Sequence, residues 1–318
     1  YPVSGVLGRG AMGTVYLAHD PVIKRRVAIK TIRKELIDDD EKAEVASGRF
    51  RREAQAAGAL NHPGIVAIYE YGEDEQYAFI AMEYVEGTTL REHMTHGAAF
   101  SESDTVSIMA QLLDALEFAH RHSVWHRDIK PANIIIMSNG RIKLADFGIA
   151  RMEAADRTRT NLLMGTPGYI APEAYLGQDI DHRIDIFSAG ALMYELLARK
   201  APFRGRPEAI MHDVCYHDPD PPSQVDPEHR WPQYDGVVAR ALAKMPPQRY
   251  QSAQAFREAV MAEHASPVAN TISEATIISS VVRPMGVDPG TPSAPKTPSY
   301  AGSGTPPPSG WTQPVLAG

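Results

Sequence analysis

The segment His126-Arg127-Asp128-Ile129-Lys130-Pro131-Ala132-Asn133 places an imidazole, two cations, a carboxylate and a carboxamide close together in the sequence. Such a set can orient a hydroxyl group, neutralise charge on a phosphoryl group and bind a hard cation. The pattern H-R-D-x-K-x-x-N is specific, because five chosen positions must match. The alternative interpretation is a polar loop in which Asp128 is merely solvated, so other parts of the chain must supply its partners.

A glycine-rich segment near the start of the chain can bring backbone close to phosphate groups, because glycine has no Cβ atom. It fits G-x-G-x-x-G-x-V and comprises Leu7, Gly8, Arg9, Gly10, Ala11, Met12, Gly13, Thr14 and Val15. A dinucleotide-binding motif with this glycine spacing opens a helix, whereas the β-branched and aromatic residues 14–18 predict a strand here. A plain hairpin turn is the alternative.

Lys30 ends a second predicted strand, residues 26–30. Its ammonium group can contact phosphates if a carboxylate from a helix holds it in place. We favour Glu53 as that carboxylate, because an apolar helical segment follows it directly, and Glu44 is the alternative. Without such a partner, Lys30 would extend into solvent.

Asp146 begins an Asp-Phe-Gly sequence directly after a predicted hairpin strand. If Asp146 and Asn133 reach one pocket, they offer the hard oxygen ligands that Mg²⁺ prefers. A simple turn rich in polar residues is the alternative. Further along the chain, Arg249 is a candidate partner for Glu173, and Asp185 lies at the start of an apolar helix.

The predicted elements that would hold these side chains fall into two regions. Residues 1–84 show mostly strand patterns, and residues 85–264 show mostly helix patterns. A capping-box pattern at Ser101–Asp104 predicts a helix start, and residues 184–198 are apolar nearly all round, which predicts a buried helix. We therefore predict an α+β protein with a small β-rich N-lobe and a larger α-helical C-lobe.

Composition excludes several function classes. The net charge is −7, so nucleic acid is not expected as a partner, and a single cysteine allows no intrachain disulfide. No window approaches 18 consecutive apolar residues, the length that predicts a membrane span. Residues 265–318 are rich in proline, glycine, serine and threonine, and we predict that they form a disordered linker or tail.

As an ordered set, these motifs resemble the eukaryotic-type (Hanks-type) serine/threonine protein kinases, and the bacterial members in particular, over residues 1–264. The resemblance implies the bilobal protein kinase fold. It also implies transfer of the γ-phosphate of ATP, with Mg²⁺ or alternatively Mn²⁺, to serine and threonine hydroxyls of protein substrates. Autophosphorylation of the activation loop is part of this expectation.

The resemblance assigns a role to each matching position. It implies that residues 7–15 cover the nucleotide phosphates, that Lys30 pairs with Glu53, that Asp128 faces the substrate hydroxyl and that Lys130 neutralises the transferred phosphoryl group. The remaining positions are implied to bind adenine (Val15, Ala28, Met82 as gatekeeper, the backbone of Glu83 and Val85, and Ile135), to bind metal (Asn133 and Asp146) and to stabilise the C-lobe (Glu173, Asp185 and Arg249).

Regulation and partners are expectations of the same kind. Thr158 and Thr160 are implied regulatory phosphorylation sites near Arg127, and an unphosphorylated, solvated loop is the alternative. Phosphorylation of that loop would create docking sites for phosphate-binding partners. For the tail we favour a plain linker, and phosphorylation of Thr271 and Thr276 as docking sites is the alternative. An N-lobe homodimer, a cytoplasmic kinase domain and a membrane anchor beyond Gly318 are further expectations.

Two other functions compete with protein phosphorylation. A pseudokinase would use the same fold as a nucleotide-sensing scaffold, and it predicts the loss of Lys30, Asp128, Asn133 or Asp146, none of which is lost. A small-molecule kinase of related fold would usually lack the segment 165–173.

Overall fold

In the computed structural model, the residues described are 1–10, 13–33, 51, 54–73, 77–147, 166–226, 231–264 and 271–280. Five strands form an antiparallel sheet in the order β1-β2-β3-β5-β4, and three short strands form a second antiparallel sheet in the order β6-β7-β8. The strands are β1 Val3–Gly10, β2 Gly13–His19, β3 Arg26–Arg33, β4 Ile68–Glu73, β5 Tyr77–Glu83, β6 Gly87–Thr89, β7 Ile134–Met137 and β8 Ile142–Leu144.

The α-helices lie mainly after the five-stranded sheet, as the sequence predicted. In chain order they are α1 Leu90–Thr95, α2 Glu102–Arg121, α3 Pro172–Leu176, α4 Arg183–Ala198, α5 Pro207–Tyr216, α6 Pro222–Val225, α7 Asp235–Ala241, α8 Ala253–Ala262 and α9 Glu274–Ser280. Residues 54–58, which precede β4, are also helical. The predicted α+β arrangement of a β-rich N-lobe and a helical C-lobe is confirmed.

The N-lobe sheet brings the predicted nucleotide contacts onto one face. Val15 is opposite Lys30 in the β2–β3 pairing, and Ala28 is opposite Met82 in the β3–β5 pairing. Because side chains alternate along a strand, these four residues share a face. Val15, Ala28 and Met82 pack into one apolar cluster there, which also includes Ala145 from the C-lobe.

The C-lobe core is built around α4. Every residue from 184 to 198 is buried, which confirms the prediction made from their apolar character. Gly190 allows a close approach to α7, since an added Cβ atom would lie 2.7 Å from the Cβ of Ala241. Ser101 and Asp104 form the predicted capping box at the start of α2. Ser101 Oγ accepts a hydrogen bond from the backbone N–H of Asp104 at 3.1 Å.

Two predictions about the elements need correction. The β-branched and aromatic residues of 65–71 predict a strand over that range, but β4 begins at Ile68, because Ile65 instead forms a parallel bridge with Leu144 of β8. The tail predicted to be disordered from residue 265 contains α9, and Ile272 is buried with 3% of its surface exposed. Residues 265–270 and 281–318 lie outside the described residues. Within the described residues, no helix combines the length and the apolar character that crossing a membrane requires.

Candidate active site

Asp185, at the start of α4, holds the segment 126–133 in place through hydrogen bonds. The Asp185 carboxylate accepts the backbone N–H groups of His126 at 2.8 Å and Arg127 at 2.7 Å, and the side chain of His120 at 2.9 Å. Burial alone would raise the pKa of Asp185, but its interactions with His120 and His126 outweigh burial and hold that pKa below the ordinary value. Arg127 has a positive φ of 64°, a strained conformation that these two backbone hydrogen bonds stabilise.

His126 connects this segment to the one that carries Asp146. Its ring is fully buried, and Nε2 lies 2.9 Å from the carbonyl oxygen of Ala145. Since a carbonyl only accepts, Nε2 carries the hydrogen, and Nδ1 accepts from the backbone N–H of Asp128 at 3.2 Å. Burial lowers the pKa of His126, which favours this neutral form.

Asp128, Lys130 and Asn133 form one hydrogen-bonded group. Lys130 Nζ donates to Asp128 Oδ2 at 2.6 Å. Asn133 Nδ2 donates to Oδ2 of Asp128 at 3.1 Å and to its carbonyl oxygen at 2.8 Å. Because the Asn133 amide nitrogen is directed at Asp128, its Oδ1 atom is the one available as a metal ligand.

Lys30 and Asp146 bring the two lobes together at this group. Lys30 Nζ donates to Asp146 Oδ1 at 2.8 Å, and the backbone N–H of Ala145 donates to the carbonyl oxygen of Asn133 at 2.8 Å, which keeps Asp146 beside Asn133. Asp146 has a positive φ of 58°, which is uncommon outside glycine. The expected partner of Lys30, Glu53, lies outside the described residues, as does its alternative, Glu44.

The expected adenine contacts are only partly assembled in one cluster. Val85 packs beside the apolar cluster that contains Ala28 and Met82. Ile135 is half-buried and lies on the face of β7 opposite Ile134 and Ile136, which are core residues. The side chain of Glu83 accepts from Lys143 Nζ at 2.7 Å, a contact that no sequence motif indicated.

The described part of the glycine-rich segment comprises the end of β1 and the start of β2. Gly10 is paired with Gly13, and Gly13 has a φ of 136° that favours glycine. The side chains of Leu7 and Arg9 are exposed, whereas those of Thr14 and Val15 are partly buried. Ala11 and Met12 lie outside the described residues. Thr158 and Thr160 do so too, together with the rest of 148–165.

The predicted pair between Glu173 and Arg249 is a buried, bidentate ion pair. Arg249 Nη1 and Nη2 donate to the two carboxylate oxygens of Glu173, each at 2.7 Å. The other guanidinium hydrogens go to the carbonyl oxygens of Ala243, Arg183 and Lys244. All five donors of this buried cation are therefore satisfied, which explains how a charged side chain with no exposed surface is tolerated.

Comparison with known proteins agrees with this geometry. The family model of the protein kinase domain matches residues 1–261. This chain belongs to the protein kinase family. It is 44% identical over 265 residues to a probable serine/threonine-protein kinase of Streptomyces coelicolor, covering 81% of this chain and 39% of that protein. It is 41% identical over 272 residues to the serine/threonine-protein kinase PknB of Mycolicibacterium smegmatis, covering 83% of this chain and 43% of that protein.

The Mycobacterium tuberculosis protein of the same name is 40% identical over 272 residues, again covering 83% of this chain and 43% of the relative. The chain thus spans about two fifths of the length of the curated relatives that it matches. The matched part includes Lys30, Asp146 and the hydrogen-bonded group of Asp128, Lys130 and Asn133.

Two contacts in this site were not predicted from the sequence. His120 binds the Asp185 carboxylate from α2, and its ring also contacts that of His182 at 5.3 Å between centroids. Phe147 packs against His126, with 4.7 Å between ring centroids. The Asp-Phe-Gly sequence marked Phe147 but not its contact with His126, and His120 lies within a helical pattern that core residues also show. No pattern in one sequence therefore indicated either contact.

Proposed function

We propose that this chain is a serine/threonine protein kinase, which transfers the γ-phosphate of ATP to serine and threonine hydroxyls of proteins. One observation carries the proposal: Lys30 of the N-lobe lies beside Asp146, next to the hydrogen-bonded group of Asp128, Lys130 and Asn133. Those are the residue types that phosphoryl transfer requires, on two lobes that can enclose a nucleotide between them. The names of the relatives support the choice of serine and threonine as acceptors.

The residues present fit a magnesium–nucleotide complex. Asn133 Oδ1 and the Asp146 carboxylate are hard oxygen ligands of the kind that Mg²⁺ prefers, and they are brought together by the backbone hydrogen bond from Ala145 to Asn133. When bound, Mg²⁺ would neutralise charge on the β- and γ-phosphates. Lys30 would contact phosphate from the other side, after exchanging its ion pair with Asp146 for the nucleotide.

Asp128 orients the acceptor in this mechanism. A carboxylate is a weak base compared with an alkoxide, so its main contribution is to hold the hydroxyl in line with the γ-phosphorus. The bond from the hydroxyl oxygen to phosphorus forms, the bond to the bridging oxygen breaks, and ADP leaves with that oxygen. The hydroxyl proton passes late to Asp128, while Lys130 stabilises charge on the transferred group.

The pseudokinase alternative requires that a residue of this group be missing or displaced. Lys30, Asp128, Asn133 and Asp146 are all present, and their contacts connect them into one site, which favours catalysis over sensing. Regulation through Thr158 and Thr160, an N-lobe homodimer, a cytoplasmic kinase domain and a membrane anchor beyond Gly318 remain separate proposals.

The proposed function is tested by measuring transfer of radiolabelled γ-phosphate from ATP to a generic protein substrate. Asp128→Asn should reduce the rate by at least about 100-fold, because a positioned proton acceptor contributes on that order. Asp114→Asn, which removes an exposed carboxylate on α2, should leave the rate unchanged. Nucleotide binding retained by Asp128→Asn would show an intact fold, and an undiminished rate in that variant would exclude the proposed role.

A further inference from the structure

Residues 271–280, which we call the tail segment, pack against the C-lobe beyond the residues that the family model matches. Ile272 is part of the main C-lobe core, and its backbone N–H donates to the carbonyl oxygen of Gly140 at 2.8 Å. Gly140 has a φ of 75°, and an added Cβ atom there would lie 2.5 Å from the carbonyl oxygen of Ile272. The turn between β7 and β8 therefore fits the backbone of the tail segment closely.

Asp104 is the polar centre of this contact. It lies at the start of α2 with 2% of its surface exposed, and it already accepts from Ser101 in the capping box. The tail segment adds three donors: the backbone N–H of Ser273 at 2.7 Å, Ser273 Oγ at 3.1 Å and Thr276 Oγ1 at 2.6 Å. Capping α2 requires none of these three, so Asp104 serves two elements at once.

The charge state of Asp104 suits this arrangement. Burial alone would raise the pKa of its carboxyl group, but the hydrogen bonds from Thr276, Ser273 and Ser101 outweigh burial and lower that pKa. A buried carboxylate is stable only while such donors surround it. Thr276 supplies the shortest of the contacts that come from the tail segment, and its own side chain is buried, with 7% of the residue exposed.

We propose that the tail segment is an intramolecular docking element and that Thr276 is a phosphorylation site whose modification prevents docking on Asp104. Phosphorylation by ATP would form a bond from Thr276 Oγ1 to the γ-phosphorus, release ADP and transfer the hydroxyl proton to a base. The product has lost the hydrogen that Thr276 donates to Asp104. It also carries about −1.5 to −2 charges at pH 7, beside a buried carboxylate.

Burial of Thr276 determines the order of events. A kinase can reach the hydroxyl only while the tail segment is undocked, so phosphorylation selects the undocked state and then maintains it. Thr271 provides a contrast on the same segment, because its side chain is exposed. The inference rests on the proposed function only for the source of the phosphoryl group.

Hydrogen–deuterium exchange of the whole 318-residue chain tests the proposal. Phosphothreonine would be introduced genetically at position 276 and, as a matched control, at position 271. In the unmodified chain, we expect slow exchange in peptides that cover 271–277, since the amides of Ile272 and Ser273 are bonded to the C-lobe. Phosphothreonine at 276 should accelerate that exchange at least tenfold, and phosphothreonine at 271 less than threefold.

Equally slow exchange with and without phosphate at position 276 would contradict the proposal that phosphorylation prevents docking. Fast exchange in the unmodified chain would contradict docking itself. A second measurement uses Asp128→Asn chain as the acceptor and active chain with ATP as the donor, with mass spectrometry to locate phosphothreonine at 276. Failure to phosphorylate any protein in that arm would count against the proposed function alone, because the exchange experiment does not depend on catalysis by this chain.

Discussion

Lys30 Nζ and Asp146 Oδ1 are 2.8 Å apart, so the lysine of the N-lobe sheet and the aspartate of the Asp-Phe-Gly sequence form an ion pair. The side chain of Lys30 is the more buried of the two, at 13% exposed against 34% for Asp146. The pair brings two opposite charges together inside the cleft. Under the proposed function, this ion pair must break when phosphates and Mg²⁺ bind. Lys30 would then contact phosphate, and Asp146 would bind Mg²⁺.

Asp146→Asn should therefore separate nucleotide binding from magnesium binding. The neutral amide is a poorer ligand for Mg²⁺ than a carboxylate, and it releases Lys30 from its ion pair. We expect phosphoryl transfer to fall at least about 100-fold and the gain in ATP affinity on adding Mg²⁺ to shrink. Calorimetric titration of ATP with and without Mg²⁺ checks this, and Asp114→Asn is the control. An identical gain in both proteins would contradict the metal assignment.

Lys130→Ala should lower the turnover number much more than the Michaelis constant for ATP. Lys130 contacts the Asp128 carboxylate at 2.6 Å, where it can stabilise charge that develops only during transfer, and an interaction made only in the transition state affects the turnover number. We expect a loss of about 100- to 1000-fold in steady-state assays. Lys200→Ala, at an exposed position, should show no change. A higher Michaelis constant with unchanged turnover would assign Lys130 to substrate binding.

The proximity of Asp128, Lys130 and Asn133 could be predicted from the sequence, because the three residues lie close together along the chain. A turn of fixed geometry after Lys130 brings Asn133 back to Asp128, so spacing alone carried that information. The contact between Lys30 and Asp146 could not be predicted in the same way, because it depends on the arrangement of the two lobes, which no local pattern encodes. The pairing of Lys30 with Glu53 stays a prediction, since Glu53 lies outside the described residues.

The tail segment shows a second limit of sequence reasoning. The average composition of residues 265–318 predicts disorder for the whole segment. That prediction fails wherever a short part of the segment packs against a complementary surface of the folded domain. Ile272 and Thr276 do find one, made by Gly140 and Asp104, and those residues are distant in sequence. The strand start at Ile68 was missed for a similar reason, since Ile65 pairs with Leu144 across the lobes.

His126 should make the stability of the protein depend on pH in the weakly acidic range. Burial lowers its pKa below the ordinary value of 6.5, so below that pH the unfolded chain binds a proton that the folded chain does not. The contribution is complete above pH 6.5 and is lost as the pH falls towards the lowered pKa. His126→Gln should reduce the pH slope of the unfolding free energy by up to about 1.4 kcal/mol per pH unit.

Urea unfolding of His126→Gln and of the unmodified chain measures that slope. The pH would run from about 5.5 to about 7.5, roughly one unit either side of the ordinary histidine pKa. His96→Gln, at an exposed position at the end of α1, is the matched control and should retain the slope of the unmodified chain. An equal slope in all three proteins would show that His126 does not resist protonation in the folded state.

The ion pair between Glu173 and Arg249 should be far more important for stability than any exposed pair. Both residues are buried, with 2% of Glu173 and 0% of Arg249 exposed. Arg249→Met therefore leaves a buried carboxylate without its cation, and Glu173→Gln leaves a buried guanidinium group without its anion. Either change should cost about 3–5 kcal/mol of unfolding free energy. The double variant should cost less than the sum of the two, since it leaves no buried charge unpaired. Urea unfolding measures the free energy of unfolding of all three variants. The control is Arg121→Met, because Arg121 is an exposed partner of Glu117, and it should cost less than about 1 kcal/mol. Additive losses in the double variant would mean that the charges of Glu173 and Arg249 do not act as a pair.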